Sequence, residues 1–273
     1  MQLYKYSAVD ENCLSGLINS QLWFSDPKSF NDPFDCDLRP YKKIYEEIIT
    51  KIKNEFTVVI NKMIEECQVN SLTDEFIQIF TKKKQSNLKL IENCNNEILD
   101  DIDNQFGILC LTKNKGESNT LMWSHYGDSH KGVMLEFETD ADNEFFKVQL
   151  SIIYINFLYS LDSKDCEEKE QVKKILLQKY DEKIIDLLFS FLIKATQWEY
   201  EQEVRLIKAD IKNNQRLFNY APNCLTGIYF GLKTTEEHKQ TIKQIIQLKG
   251  LKNTKLYQAE KVEDSFNLVY TEI

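Results

Sequence analysis

The chain has 273 residues, 42% of them hydrophobic and 28% charged, with only 8 Gly and 4 Pro. That balance excludes a low-complexity or linker-rich polypeptide and is enough to bury a large core. A formal net charge of −9 argues against coating nucleic acid by long-range attraction, while leaving room for a local basic groove.

No apolar run reaches membrane-span length, and the N-terminus lacks an apolar signal core behind a basic start, so a cytoplasmic protein with no membrane contact is expected. The seven cysteines, Cys13, Cys36, Cys67, Cys94, Cys110, Cys166 and Cys224, are scattered and include no Cys-x-x-Cys pair. They read as reduced thiols packed as small hydrophobes, and no metal is expected.

Leu3-Tyr4-Lys5-Tyr6 alternates as a strand does. A short helix with Leu14, Leu17 and Ile18 follows, capped by Asp10 or Asn12 and ended by Asn19-Ser20. Leu22-Trp23-Phe24-Ser25 reads as a second strand. From Asp26 to Asp35, two prolines among Asp and Asn residues preclude a continuous helix or central strand, which leaves a shaped loop. Phe30 and Phe34 are expected to pin that loop to the body. Such a loop either holds ligand groups or satisfies its own backbone through Asn31 and Asp32.

From Tyr41 to about Asn104 the pattern turns helical. Ile44, Ile48, Ile52, Phe56, Ile60 and Ile64 recur every four residues, and Phe76, Ile77 and Phe80 continue the theme. Residues 41–104 are therefore expected to form a helical insertion for packing, partner binding or lidding. The chain reads as a single domain, 1–273, with its core at 1–40 and 105–273. The expected fold class is α+β, an antiparallel or mixed sheet core with a long helical insertion.

Phe106–Thr112 reads as a strand, and a polar loop leads to the stretch from Leu121 to Gly132, which holds His125 and His130, two of the three histidines. Their spacing lacks a Cys partner or a Glu-flanked helical pair, which argues against zinc. Ser124 and His125 are adjacent, so they seldom point at one another, and no Gly-x-Ser-x-Gly elbow is present. Trp123, Ser124, His125 and Tyr126 offer the stacking surface and hydrogen bonds of a nucleotide-contacting loop, whereas a core anchor is the plainer reading of Trp123. Val133–Glu138 alternates as a strand with unlike faces.

Ile152–Ile155 reads as another strand, and residues 167–195 as a second helical run. The chain then enters Trp198-Glu199-Tyr200-Glu201-Gln202-Glu203-Val204-Arg205-Leu206-Ile207. If this is extended, the period of two sets Glu201, Glu203 and Arg205 on one face and Val204 and Leu206 on the other. The charged face is either an ordinary solvated ion pair or a functional carboxylate oriented by a cation. Leu225–Gly231 as a strand, a helix capped by Thr235 and bearing Ile242, Ile245 and Ile246, and Lys255–Ala259 as a strand complete the pattern.

Leu3-Tyr4-Lys5-Tyr6, Trp23-Phe24-Ser25 with Phe30-Asn31-Asp32-Pro33-Phe34-Asp35, Met122-Trp123-Ser124-His125-Tyr126 with His130-Lys131-Gly132, and Trp198 with Glu201, Glu203 and Arg205 together resemble a widespread bacterial family labelled a domain of unknown function. That resemblance implies no settled chemistry; association with phage-defence gene neighbourhoods comes with it. A lesser similarity is to ADP-ribosyltransferases, in the order of an early strand, a helix, a second strand and a later Glu-x-Glu pair beside a strand. Lys5 stands where those enzymes have Arg or His, and no Ser-Thr-Ser stretch is present.

The similarity implies NAD as substrate, cleaved at its nicotinamide glycosidic bond through an oxocarbenium-like state that a carboxylate stabilises. Glu203 is then the expected catalytic carboxylate, and Glu201 orients or deprotonates the acceptor. Lys5, Arg205 or His125 would contact phosphates, with Tyr4, Tyr6, Trp123, Ser124 and Tyr126 completing the cofactor-binding set. The acceptor macromolecule is not legible, and a homo-oligomer or a partner on the helical insertion is compatible with the pattern. The rivals are a metal-dependent nuclease using Asp32, Asp35, Glu201 and Glu203, and a non-enzymatic ligand-sensing or partner-binding module.

Overall fold

A computed structural model describes residues 1–36, 106–118, 120–139, 144–146, 150–151, 153–155, 191–208, 211 and 215–273, with scattered positions between 50 and 62 and at 174. Contacts divide the chain into two units, Met1–Cys36 with Phe106–Ile273, and Asp37–Gln105. In the second unit, Thr50, Asn54, Thr57, Val58, Asn61 and Lys62 are helical. The isoleucine stripe expected there, Phe76, Ile77 and Phe80, and nearly all of the helical run at 167–190, lie outside the described residues.

The first unit begins with β1 (Gln2–Ser7), α1 (Glu11–Asn19) and β2 (Gln21–Trp23), and resumes at β3 (Gly107–Thr112), α2 (Leu121–His125) and β4 (Val133–Glu138). The short strands β5 (Leu150–Ser151), β6 (Ile153–Ile155) and β7 (Ile193–Ala195) follow. The unit ends with β8 (Glu203–Lys208), β9 (Leu217–Asn219), β10 (Leu225–Phe230), α3 (Glu236–Leu248), β11 (Lys255–Lys261) and β12 (Leu268–Glu272). Eight strands form one sheet in the order β12-β11-β10-β4-β1-β3-β8-β5, and β2-β9 and β6-β7 form two small sheets. Only β10 and β11 run parallel in the large sheet, so it is mixed, and with its helices the fold is α+β as the sequence predicts.

Local chemistry explains the elements. Asp10 caps α1 by accepting from the Cys13 amide at 2.8 Å, and Ser20 ends it in the left-handed region at φ 52. Thr235 caps α3 through the His238 amide at 3.2 Å. Strand alternation then sorts the sheet into two faces. Leu3, Leu111, Leu135, Phe137, Val204 and Leu206 pack with Leu17 of α1 and Ile242, Ile245 and Ile246 of α3. Tyr4, Tyr6 and Met134 pack on the other face with Met122 and Trp123 of α2.

Two irregularities shape that second face. The ladder between β1 and β3 consists of a single pair, Tyr4 opposite Thr112. Past it the strands separate, and at the far end Ser25 takes the place of β1 beside β3, exchanging backbone bonds of 2.8 and 2.9 Å with Ile108. The sheet is therefore open in its middle, between two closed ends.

The second irregularity follows α2. Asp128, Ser129 and His130 have φ values of 47, 53 and 71, a left-handed run that costs about 1 kcal/mol or more per residue. The Trp123 carbonyl holds it by accepting from the amides of Gly127 and His130, both at 3.2 Å, while the Gly132 amide donates to the Gly127 carbonyl at 2.9 Å.

The structure departs from the predicted elements at several points. The start of the acidic stretch is a 3-10 helix over Thr196–Glu201, and Gln202, left-handed at φ 46, turns the chain into β8. Ile193–Ala195 is a strand, where the predicted helix would have continued. Ile18 is 51% and Phe34 63% exposed, so neither is buried in the core, whereas Phe30 is half-buried and lies against the Arg205 guanidinium.

Gly132 sits where a Cβ would lie 2.1 Å from the Ser7 carbonyl oxygen and 2.9 Å from that of Gly127. Neither backbone can yield without breaking β1 or the left-handed turn. Gly132→Ala is expected to destabilise the protein by roughly 2 kcal/mol or more, read as a lower urea midpoint at unchanged m-value.

Candidate active site

The opening between β1 and β3 forms a pocket lined by Tyr4, Lys5 and Tyr6 on one side and Cys110, Leu111 and Thr112 on the other. Ser25, Phe30, Asn31 and Asp35 from the Asp26–Asp35 loop, Met122 and Tyr126 from the α2 segment, and Lys194, Glu201 and Glu203 close it. Its empty volume, open mouth included, is about 720 Å³. Alternation along β3 turns the N–H and C=O of Cys110 to the same side as those of Ile108 and Thr112, and among the described residues no strand meets them there. The pocket thus offers backbone donors and acceptors as well as side chains.

At its floor lies a buried ionic cluster. Arg205, 0% exposed, grips Asp35 through Nη1 and Nη2 at 2.8 and 2.6 Å and Glu203 through Nε at 2.7 Å and Nη2 at 3.1 Å. Its Nη1 also donates to the Phe191 carbonyl at 2.7 Å, and the guanidinium lies 5.1 Å from the centre of the Phe30 ring. Lys194 Nζ donates to Glu201 at 2.5 Å and Glu203 at 3.0 Å and stands 3.6 Å from Asp35. Tyr126 donates its hydroxyl to the other Glu201 oxygen at 2.5 Å.

The backbone fixes this arrangement. Thr112 donates its hydroxyl to the Glu201 carbonyl, and the Lys113 amide donates to the Gln202 carbonyl at 3.2 Å. Asn114 Nδ2 donates to the Tyr200 carbonyl at 2.8 Å. These bonds tie the 3-10 helix to the end of β3, so Glu201 and Glu203 present their carboxylates together although one precedes the strand and the other starts it.

The surroundings shift the two glutamates in opposite directions. Burial pushes Glu203 up, but Arg205 first and Lys194 after it outweigh that and hold its pKa at about 2. Burial raises Glu201, against the opposing pull of Lys194 and Tyr126 and with the help of the Glu203 charge. Burial alone would lower Lys194, yet Glu203 and Glu201 raise it above its ordinary value, so it stays an ammonium. Burial also raises the Tyr126 hydroxyl, reinforced by its bond to Glu201. Lys5 is lowered, chiefly by burial.

The predicted site residues divide accordingly. Tyr4, Lys5, Tyr6, Tyr126, Glu201 and Glu203 meet in one pocket. Arg205 lies beneath it with its donors committed to Asp35, Glu203 and Phe191, so it orients carboxylates and does not reach a phosphate. Trp123 is 0% exposed and donates Nε1 to the Tyr270 hydroxyl at 3.0 Å, which makes it a core anchor. Ser124 and His125 are exposed on α2 and do not line the pocket.

Sequence reasoning missed Lys194 and gave Asp35 no part beyond the nuclease reading. The signal for Lys194 was charge balance, because three carboxylates gathered in a core require more than one cation.

A divalent cation would have to sit where the carboxylates of Asp35, Glu201 and Glu203 converge, and the Lys194 ammonium occupies that point. Asp32 does not join them; its carboxylate accepts from the Phe34 amide at 2.9 Å. Among the described residues no group of His, Cys, Asp and Glu is arranged to hold a metal. The donor set fits an ammonium-centred cluster rather than a metal site.

Removing Arg205 would leave Asp35 and Glu203 buried beside a single cation. Arg205→Met is expected to cost about 3–5 kcal/mol in chemical denaturation. The cluster also makes stability depend on acidity. Glu203 titrates at about 2 in the fold against 4.5 when unperturbed, so the unfolded chain takes up that proton first. Its contribution is complete above about pH 4.5 and drains away as pH falls toward 2, and Glu203→Gln should flatten the measured stability slope across that window.

No curated protein and no solved structure matches the chain. A family model described as a protein of unknown function (DUF2971) matches residues 122–206, from Met122 beside Tyr126 through the 3-10 helix to Glu203 and Arg205. Residues 122–206 thus fit that uncharacterised family, and the matched stretch contains α2 from Met122 onward and both glutamates of the site.

Proposed function

We propose that the pocket between β1 and β3 cleaves the N-glycosidic bond of a nucleotide, NAD in the first instance, by hydrolysis or by transfer of the ribosyl unit. The observation behind this reading is the pair of glutamates bonded to one ammonium and shifted in opposite directions, Glu203 down and Glu201 up. Environments that separate two carboxyls in this way assign them different roles. Glu203, held ionised, supplies fixed negative charge toward the ribose cation that develops as the bond to nicotinamide stretches.

Glu201 keeps the acid–base role and Glu203 the charge-stabilising one. Glu203 already accepts from Arg205 and Lys194 on both oxygens, whereas each Glu201 oxygen has one protein donor and a lone pair to spare. In hydrolysis the C1′–N bond breaks with its electron pair leaving on nicotinamide. A water oxygen bonds to C1′, and its proton passes to Glu201 and on to solvent. Tyr126 and Lys194 orient Glu201 for that transfer. NAD consumption in a phage-defence or toxin-like role is the biological form of this reading.

The nuclease reading loses its metal position to Lys194, and the long helices that would serve a partner-binding module lie outside the described residues. Purified protein incubated with NAD is expected to release nicotinamide. Glu201→Gln should lower kcat by about 10²–10⁴-fold with little change in NAD affinity, and Tyr126→Phe should lower it less. Wild-type protein that binds NAD without releasing nicotinamide would sink the reaction.

A further inference from the structure

A second cavity, with an empty volume of about 940 Å³ including its mouth, lies between α1, β2 and β9. Asn12, Ser15 and Gly16 of α1, Trp23 of β2, Leu217 of β9 and Tyr220 contribute to its wall. Trp23 and Leu217 are 47% and 40% exposed and face each other across β2 and β9, so the indole offers an apolar surface at the cavity wall. Among the described residues, one side chain lines both cavities, and it is Lys5.

Lys5 is unlike the other basic groups at the site. Lys194 and Arg205 are consumed by carboxylates, whereas Lys5 makes no hydrogen bond or ion pair with any described residue. Burial lowers its pKa, and Glu203 acts on it only through space. A basic side chain set between two cavities, with no carboxylate bonded to it among the described residues, is suited to receive an anion. Its place on β1, just beyond the last pair with β3, sets it at the opening of the sheet.

We infer that the two cavities are halves of one binding site for a dinucleotide, with the reacting ribose beside Glu201, the linking diphosphate at Lys5, and the second base in the cavity walled by Trp23 and Tyr220. The inference rests on the nucleotide reading of the first pocket and extends it to a ligand class. A mononucleotide fills one half and leaves the other empty. A dinucleotide fills both and gives Lys5 its charge partner. The exposed indole of Trp23 supplies the stacking platform that a purine requires.

The test measures binding of NAD, ADP-ribose and nicotinamide mononucleotide by calorimetry to wild type, Ser15→Trp and Lys5→Met. Ser15 is exposed on α1, so the tryptophan projects into the second cavity without entering the core. Ser15→Trp is expected to weaken NAD and ADP-ribose by about tenfold or more while leaving nicotinamide mononucleotide unchanged. Lys5→Met should weaken all three and reduce the salt dependence of NAD binding. Trp23→Ala, at another exposed position, should repeat the Ser15→Trp pattern and stands in for it if that variant fails to fold.

Unchanged NAD affinity in Ser15→Trp and Trp23→Ala, with nicotinamide release still abolished by Glu201→Gln, would overturn the bipartite site and leave the reading of the first pocket standing. Equal loss of nicotinamide mononucleotide in Ser15→Trp would likewise overturn it. Wild-type protein that binds no NAD would overturn both.

Discussion

Three carboxylates cannot be taken out of water in one place without cations to meet them. Asp35, Glu201 and Glu203 are each under a tenth exposed, and the fold meets their charge with Arg205 and Lys194. The five groups come from the loop after β2, from β7, from the 3-10 helix and from β8. Docking those segments is therefore one event. The loop holding Asp35 cannot settle elsewhere without leaving Arg205 half-partnered, and β7 cannot shift without removing Lys194 from all three carboxylates.

Such a cluster is a poor device for stability alone, because well-packed apolar residues would serve as well. It does separate functions within a small space. Arg205 fixes Glu203 from below and makes it a permanent charge. Lys194 bridges to Glu201, whose only other partner on its carboxylate oxygens among the described residues is a tyrosine, so Glu201 keeps both capacity for another bond and a raised proton affinity. One ammonium thus joins a closed carboxylate to an open one.

Much of the frame was legible because it depends on local periodicity. β1, α1 and α3 announce themselves through alternation, apolar spacing and capping residues, and the mixed sheet follows from them. The grouping of Glu201, Glu203 and Arg205 was legible too, though for a reason that proved incomplete. They meet because a left-handed Gln202 swings a 3-10 helix onto β8, and the simple alternation of a strand ends at Glu203.

Long-range partners were not legible. Nothing local marks Lys194, a lysine in an apolar run, as the hub of the cluster. Nothing in Phe-Asn-Asp-Pro-Phe-Asp says that its last residue, and not Asp32, will meet Arg205. The indole of Trp123 is spent on the core, the plainer of the two readings that its sequence offered, whereas nothing local says that Trp23 of the short β2 stands half-exposed at a cavity.

The opening in the sheet lies between two fastenings of β3. β3 is held at one end by Tyr4 and at the other by Ser25, and the polypeptide between those two contacts runs through α1. The two fastenings, Thr112 and Ile108, lie four residues apart on β3, about 13 Å at the rise of a strand. The chain that leaves β1 passes through α1 and β2 before it returns at Ser25, so the length of the opening is ruled by the strand on its far side, and a ligand that enters it lies along the backbone of β3.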